Sequence, residues 1–99
     1  MTKIVLFICV GNSGRSQIAE AFFNKLSKTG KAISAGTMPD DRIHPYTVQV
    51  MKEAGIDVSQ QKPKPLTPEM IDKADKIKKV RDARDQIKEK VKKLIRQIE

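Results

Sequence analysis

The chain has 99 residues, 38% of them hydrophobic, and a net charge of +8 from 20 Lys or Arg against 12 Asp or Glu. At that length a core removes roughly 60–70% of the unfolded chain's surface from water, which predicts a single small domain over residues 1–99. No apolar run nears the ~20 residues of a membrane span, Met1-Thr2-Lys3 leads into an apolar segment without a signal peptide, and one cysteine permits no internal disulfide, so a reducing cytoplasm is the expected setting.

In chain order, Lys3 to Cys9 is a near-continuous apolar run, as in a strand covered on both faces of a parallel sheet. Gln17 to Lys28 carries Ile18, Phe22 and Leu26 on one helical stripe with Ala19 and Phe23 beside it, and Gly30 stops the helix. Lys31 to Ala35 reads as a short second strand, and Gly36 opens the loop after it. Pro45 suits a first helical turn, Val48, Met51 and Ala54 mark an apolar side, and Gly55 ends that helix. Lys62-Pro63-Lys64-Pro65 is an extended, rigid spacer. At Thr67-Pro68-Glu69 a hydroxyl cap, a proline and an acid begin another helix. Residues 78–99 read as a closing amphipathic basic helix. The order β-α-β-α-α plus one helix predicts an α/β fold around a small parallel sheet.

The charge excess is concentrated in that last stretch, where nine Lys or Arg stand against four Asp or Glu. Acids are interleaved and the few aromatics lie elsewhere, so it reads as a solvated helix face able to steer anions, with no nucleic-acid partner expected. Two arrangements fit the apolar series Ile77, Val80, Ile87, Val91, Leu94 and Ile98, interrupted by Arg84. In the first the helix packs on the sheet of a monomer. In the second Thr67 to Glu99 forms one long helix and pairs with another copy through the 77–98 seam.

Between the first strand and helix lies Cys9-Val10-Gly11-Asn12-Ser13-Gly14-Arg15-Ser16. A thiol attacks as its thiolate, which is favoured at helix N-termini, beside Arg, and where hydroxyls or N–H groups donate to sulfur. Ser13, Arg15 and Ser16 are candidates for those parts. Gly11 and Gly14 are expected to let the loop curl and turn its N–H groups inward, and Asn12 tolerates a left-handed conformation. A helix start offers free N–H groups and a favourable dipole to phosphate-like anions, and Arg15 adds a planar fork for two oxygens.

The run Cys9 to Glu20, CVGNSGRSQIAE, resembles the active-site loop and first helix of the low-molecular-weight protein tyrosine phosphatase superfamily, and looks closest to its thioredoxin-coupled arsenate reductase branch. Ser34-Ala35-Gly36-Thr37, Met51 to Ser59, and Ala74-Asp75-Lys76-Ile77 are similar to later stretches in the same order, and the last helix with Val80-Arg81-Asp82 looks like the family's closing helix. Gln17 is similar to the reductase branch, since phosphatases of the family usually have Pro there. The resemblance implies a three-layer fold and arsenate reduction. Cys9 would be the nucleophile, Arg15 the anion clamp and Ser16 the thiolate stabiliser. Backbone groups of Val10, Gly11, Asn12, Ser13, Gly14 and Arg15 would receive the oxyanion. No metal or organic cofactor is implied.

The C-terminal third departs from that pattern. Relatives continue after the Ala-Asp-x-Ile stretch into a buried strand, further cysteines and an Asp-Pro loop. Here Ile77 runs straight into Lys78-Lys79-Val80-Arg81, so a sheet reduced by C-terminal strand(s) is expected. Cleavage of a phosphate ester needs a general acid, and no Asp-Pro pair exists. Asp40 and Asp41 read as turn residues. Arsenate reduction needs a second thiol, which must come from thioredoxin, glutathione or the absent segment. Phosphatase action through a phosphocysteine and a non-catalytic oxyanion-binding or helix-mediated interaction module are the alternatives. His44 reads as a cap or surface residue before Pro45, and Tyr46, Phe22 and Phe23 as packing groups.

Overall fold

A computed structural model of the chain describes residues 2–81 and 83–99. Asp82, part of the closing-helix resemblance, lies outside the described residues, as does Met1. Strand β1 (Ile4–Cys9) is central, flanked in parallel by β2 (Lys31–Gly36) and β3 (Lys76–Lys79), in the order β2-β1-β3. Side chains alternate along β1. Val5 and Phe7 enter the main core, and Leu6 is wholly buried outside that cluster. The apolar run of β1 is thus explained by cover on both faces.

Helix α1 (Arg15–Leu26) packs on β1 and β2 through Ile18, Ala19, Phe22 and Phe23, with the Phe7 and Phe23 rings edge-on, 6.1 Å between centroids. Helix α2 (Pro45–Glu53) begins as expected with proline in its first turn; the His44 ring nitrogen accepts from the Tyr46 N–H, so His44 is a cap. Gly55 follows it with φ +81°, a conformation glycine adopts without strain. Helix α3 (Pro68–Lys73) is capped by Thr67, whose hydroxyl accepts from the Met70 N–H. Helix α4 (Arg84–Ile98) buries Ile87, Val91, Leu94 and Ile95 and packs on α1.

Two expectations for the C-terminal third are corrected. Lys78 and Lys79 belong to a strand, not to the last helix, which starts only at Arg84. All four residues of β3 are exposed and one is apolar, so no run of buried residues marked it. The long helix from Thr67 to Glu99 therefore does not form, and the 77–98 seam is broken. Ile77 lies in β3. Arg84 bridges to Glu53 at 3.2 Å and donates to the Val50 carbonyl at 2.9 Å. Val91 and Leu94 serve the chain's own core, where each buried aliphatic contributes about 1.5–3 kcal/mol. Tyr46 also departs from expectation, being 66% exposed.

The end of α4 is tied to the α1–β2 turn by Glu99, whose Oε1 accepts from the Ser27 and Thr29 hydroxyls and the Lys28 and Thr29 N–H groups. The Ser27 hydroxyl leads these donors in holding the carboxylate's pKa down to about 2, from an ordinary 4.5. A depressed folded-state pKa gives stability that is complete above the unfolded value and lost as pH falls through the folded one. Glu99→Gln should therefore be less stable than the parent above pH 4.5, with the gap narrowing between pH 4.5 and about 2. Urea titrations of both proteins across that range check this; a gap independent of pH would contradict it.

Candidate active site

The site forms where β1 ends. Cys9 is in register with Gly36 at the tip of β2. A Cβ on Gly36 would stand 2.5 Å from the Val10 carbonyl oxygen and 3.0 Å from the Asn12 Cβ, so only glycine lets β2 come this close. Beyond Cys9 the loop carbonyls are drawn outward. Those of Cys9, Val10, Gly11 and Ser13 accept from the N–H groups of Thr37, Met38, Asp40 and His44 at 2.9–3.2 Å. With the carbonyls held outside, loop N–H groups are left to face the cleft, and the first turn of α1 adds its own. Ile18 to Gly14, at 2.9 Å, is the first intrahelical bond.

The sharp turn falls on Asn12, with φ +50°, and not on the glycines, which keep negative φ. Gly11 instead makes room for the Asp40 carboxylate, which a side chain at that position would displace. Gly14 has ordinary room around it, its nearest neighbour being the Thr47 hydroxyl at 3.5 Å.

Two donors reach the half-buried Cys9 Sγ: Ser16 Oγ lies at 2.9 Å and the Asn12 N–H at 3.3 Å. Their hydrogens follow from the groups around them. The Lys64 backbone N–H can only donate, and it meets Asn12 Oδ1 at 2.8 Å. Asn12 Nδ2 must therefore be the atom facing Ser16 Oγ (2.7 Å) and Ser34 Oγ (3.0 Å). Ser16 accepts from Asn12, which frees its hydroxyl hydrogen for the sulfur. Both donors direct their hydrogens at the Cys9 sulfur.

Gln17 fixes Asn12 from the other side. Its Nε2 donates to Asn12 Oδ1 at 3.0 Å and to the Lys62 carbonyl at 3.1 Å, leaving its buried Oε1 with no donor among the described residues. The Lys62–Pro65 segment is thus more than a spacer: it buttresses the loop and covers the edge of β2 through the Lys64 and Gly36 backbones. Ser34 donates to Glu20 at 3.0 Å, and Glu20 pairs with the Lys64 ammonium at 3.5 Å. Asn12, Ser16, Gln17 and Ser34 are all fully buried. Asn12→Ala would remove four side-chain bonds at once and place alanine at φ +50°. The expected loss is about 2–4 kcal/mol, read as a lower urea midpoint; a loss under about 0.5 kcal/mol would contradict this reading of the network.

The cleft above Cys9 has a volume of about 560 Å³. The loop from Cys9 to Arg15 lines it with Thr37 and Asp40 on one side and Lys79, Val80 and Arg81 on the other. All eight residues expected at the site, Cys9 to Ser16, gather in this loop and the turn that follows. Val10 is 65% exposed at the rim of this loop. Asp40 accepts from the Ser13 hydroxyl and donates its N–H to the Gly11 carbonyl, so it braces the loop. Lys79 and Arg81 were missed as neighbours of Cys9. Lys79 pairs with Ile8, and parallel strands bring their carboxyl ends to one crevice; only that register exposes the connection.

A cysteine at the carboxyl end of a central parallel strand, a cradle of N–H groups and a helix start beneath an arginine form an arrangement able to hold a tetrahedral oxyanion. The family model for low molecular weight phosphotyrosine protein phosphatase matches residues 4–99, and the chain belongs to that family. Among similar proteins, an arsenate reductase of Brevibacillus brevis is 41% identical over 76 residues, which are 76% of this chain and 56% of that protein. A glutaredoxin arsenate reductase of a Synechocystis strain is 39% identical over 64 residues, 65% of this chain and 49% of that one. The thioredoxin-dependent arsenate reductase of Corynebacterium glutamicum superposes with a TM-score of 0.78 at 30% identity, covering 98% of this chain and 60% of the other. The chain spans about half the length of the curated relatives it matches.

Proposed function

We propose that the protein reduces arsenate, with Cys9 as nucleophile. The observation that carries this reading is the buried Gln17 amide, which fixes Asn12 and through it Ser16 and the sulfur. A proline at position 17 has no side-chain amide to offer. The likeness to proteins named arsenate reductases supports the same choice.

In this reading the loop N–H groups and Arg15 hold the arsenate oxygens. The Cys9 thiolate attacks arsenic and water departs, leaving a sulfur–arsenic bond. An external thiolate then attacks Cys9 Sγ. The sulfur–arsenic pair returns to arsenic, arsenite leaves as As(III), and a mixed disulfide forms on Cys9. A second thiol releases Cys9 and completes the oxidation of two thiols to one disulfide. Cys9 is the only cysteine among these 99 residues, and the attacking thiol in this reading is that of a thioredoxin, glutaredoxin or glutathione. We place the reaction in a reducing cytoplasm, where such thiols are kept available.

Phosphate monoester hydrolysis is the competing enzymatic reading, favoured by the family's phosphatase description. It requires an acid for the leaving oxygen, and the Asp40 oxygen nearest the loop is engaged by Ser13. Incubation with arsenate and each thiol donor, beside an aryl phosphate, separates the two. Arsenite formation supports reduction, phosphate release alone supports hydrolysis, and anion binding without either leaves a binding module.

A further inference from the structure

The two edges of the sheet are treated differently. At the site end, β2 is covered by the 64–66 segment. β3 pairs with β1 on one side, and among the described residues no strand lies on its other side. Val80 donates to Ile8 at 2.9 Å in the register that pairs Lys79 with Ile8, so by alternation Lys76 and Lys78 face β1, while Ile77 and Lys79 present backbone N–H and carbonyl groups outward. Beside this edge runs a groove of about 400 Å³ under α4. Its floor is apolar, with Phe7, Ala19, Val91 and Leu94, and its rim carries Lys78, Lys79 and Lys93.

We propose that this edge and groove bind an acidic, extended peptide segment of a partner protein, which adds to β3 as a fourth strand. Backbone bonding would come from Ile77 and Lys79. Apolar residues of the segment would face the groove floor and its carboxylates the lysines. Lysines alone also guard an edge against aggregation; the apolar floor between strand and helix is what a guard does not need. A second copy of this chain is the poorer occupant, since β3 against β3 would oppose three lysines on each side.

The test uses the full chain and a fluorescent octapeptide alternating Glu with Val or Thr, followed by anisotropy. Binding is expected, with new protection of the Ile77 and Lys79 amide protons from exchange. Methylating alternate backbone nitrogens of the peptide should weaken binding at least about tenfold, as should the double variant K76E/K78E. Both lysines are exposed and outside the cleft, so the variant should retain the parent's melting temperature and its anion binding. Equal binding of the methylated peptide would overturn strand addition, as would a single-stranded oligonucleotide that competes with equal affinity. A concentration-dependent dimer in sedimentation with the β3 amides already protected would assign the edge to a second copy and overturn the proposal.

Discussion

Cys9→Ser is expected to reduce thiol-dependent arsenite formation on the order of 10⁴-fold or more, to background, while inorganic phosphate still binds. The serine hydroxyl fits the same space and the same two donors, Ser16 Oγ and the Asn12 N–H, but is not ionised near neutral pH and cannot form the mixed disulfide. The carbonyl bonds that hold the loop open do not involve the sulfur, so the cradle and its affinity for a tetrahedral anion should persist. Arsenite quantification and phosphate calorimetry on the same preparation decide the matter. Turnover surviving in the variant would remove Cys9 from the chemistry, whereas loss of turnover and phosphate binding together would mean that the sulfur holds the loop in shape.

Arg15→Lys should cost about 10²- to 10³-fold in kcat/KM with little change in stability. Arg15 opens α1, stays exposed, and lines the cleft with Lys79 and Arg81. Charge alone is therefore plentiful at the mouth. What lysine cannot supply is the planar fork that holds two oxygens in fixed relation to the sulfur. Phosphate binding should weaken too, because the fork acts on a tetrahedral anion before any bond changes. A variant with parental kcat/KM would show that the neighbouring cations suffice and that bidentate geometry is not used.

Where a residue's surroundings come from its own neighbours, the sequence could be read directly. β1 is long in apolar residues because both its faces are covered, and the strand Ile4–Cys9 falls within one residue of the expected Lys3–Cys9. Pro45, Pro68 and Thr67 mark helix starts through bonds that span three residues or fewer. Asn12 has the left-handed conformation expected of it. β3 lies at the opposite extreme. Lys-Ile-Lys-Lys at an exposed edge has no burial pattern, and only pairing with β1, some seventy residues earlier, makes it a strand.

The sequence by itself determined which groups the loop brings together. A single cysteine, a left-turning asparagine, an arginine and a helix start lie within eight residues, and local backbone geometry brings them together. Tertiary structure alone decided what surrounds that loop. Lys64 crosses 52 residues to fix Asn12, Gly36 matters because Val10 and Asn12 press against it, and Lys79 and Arg81 reach the cleft only through β3. The reason is physical. A thiolate site needs donors in contact, which neighbours in the chain can provide. The rigidity that aims those donors, and the charge at the cleft mouth, come from segments whose proximity is set by packing and sheet register.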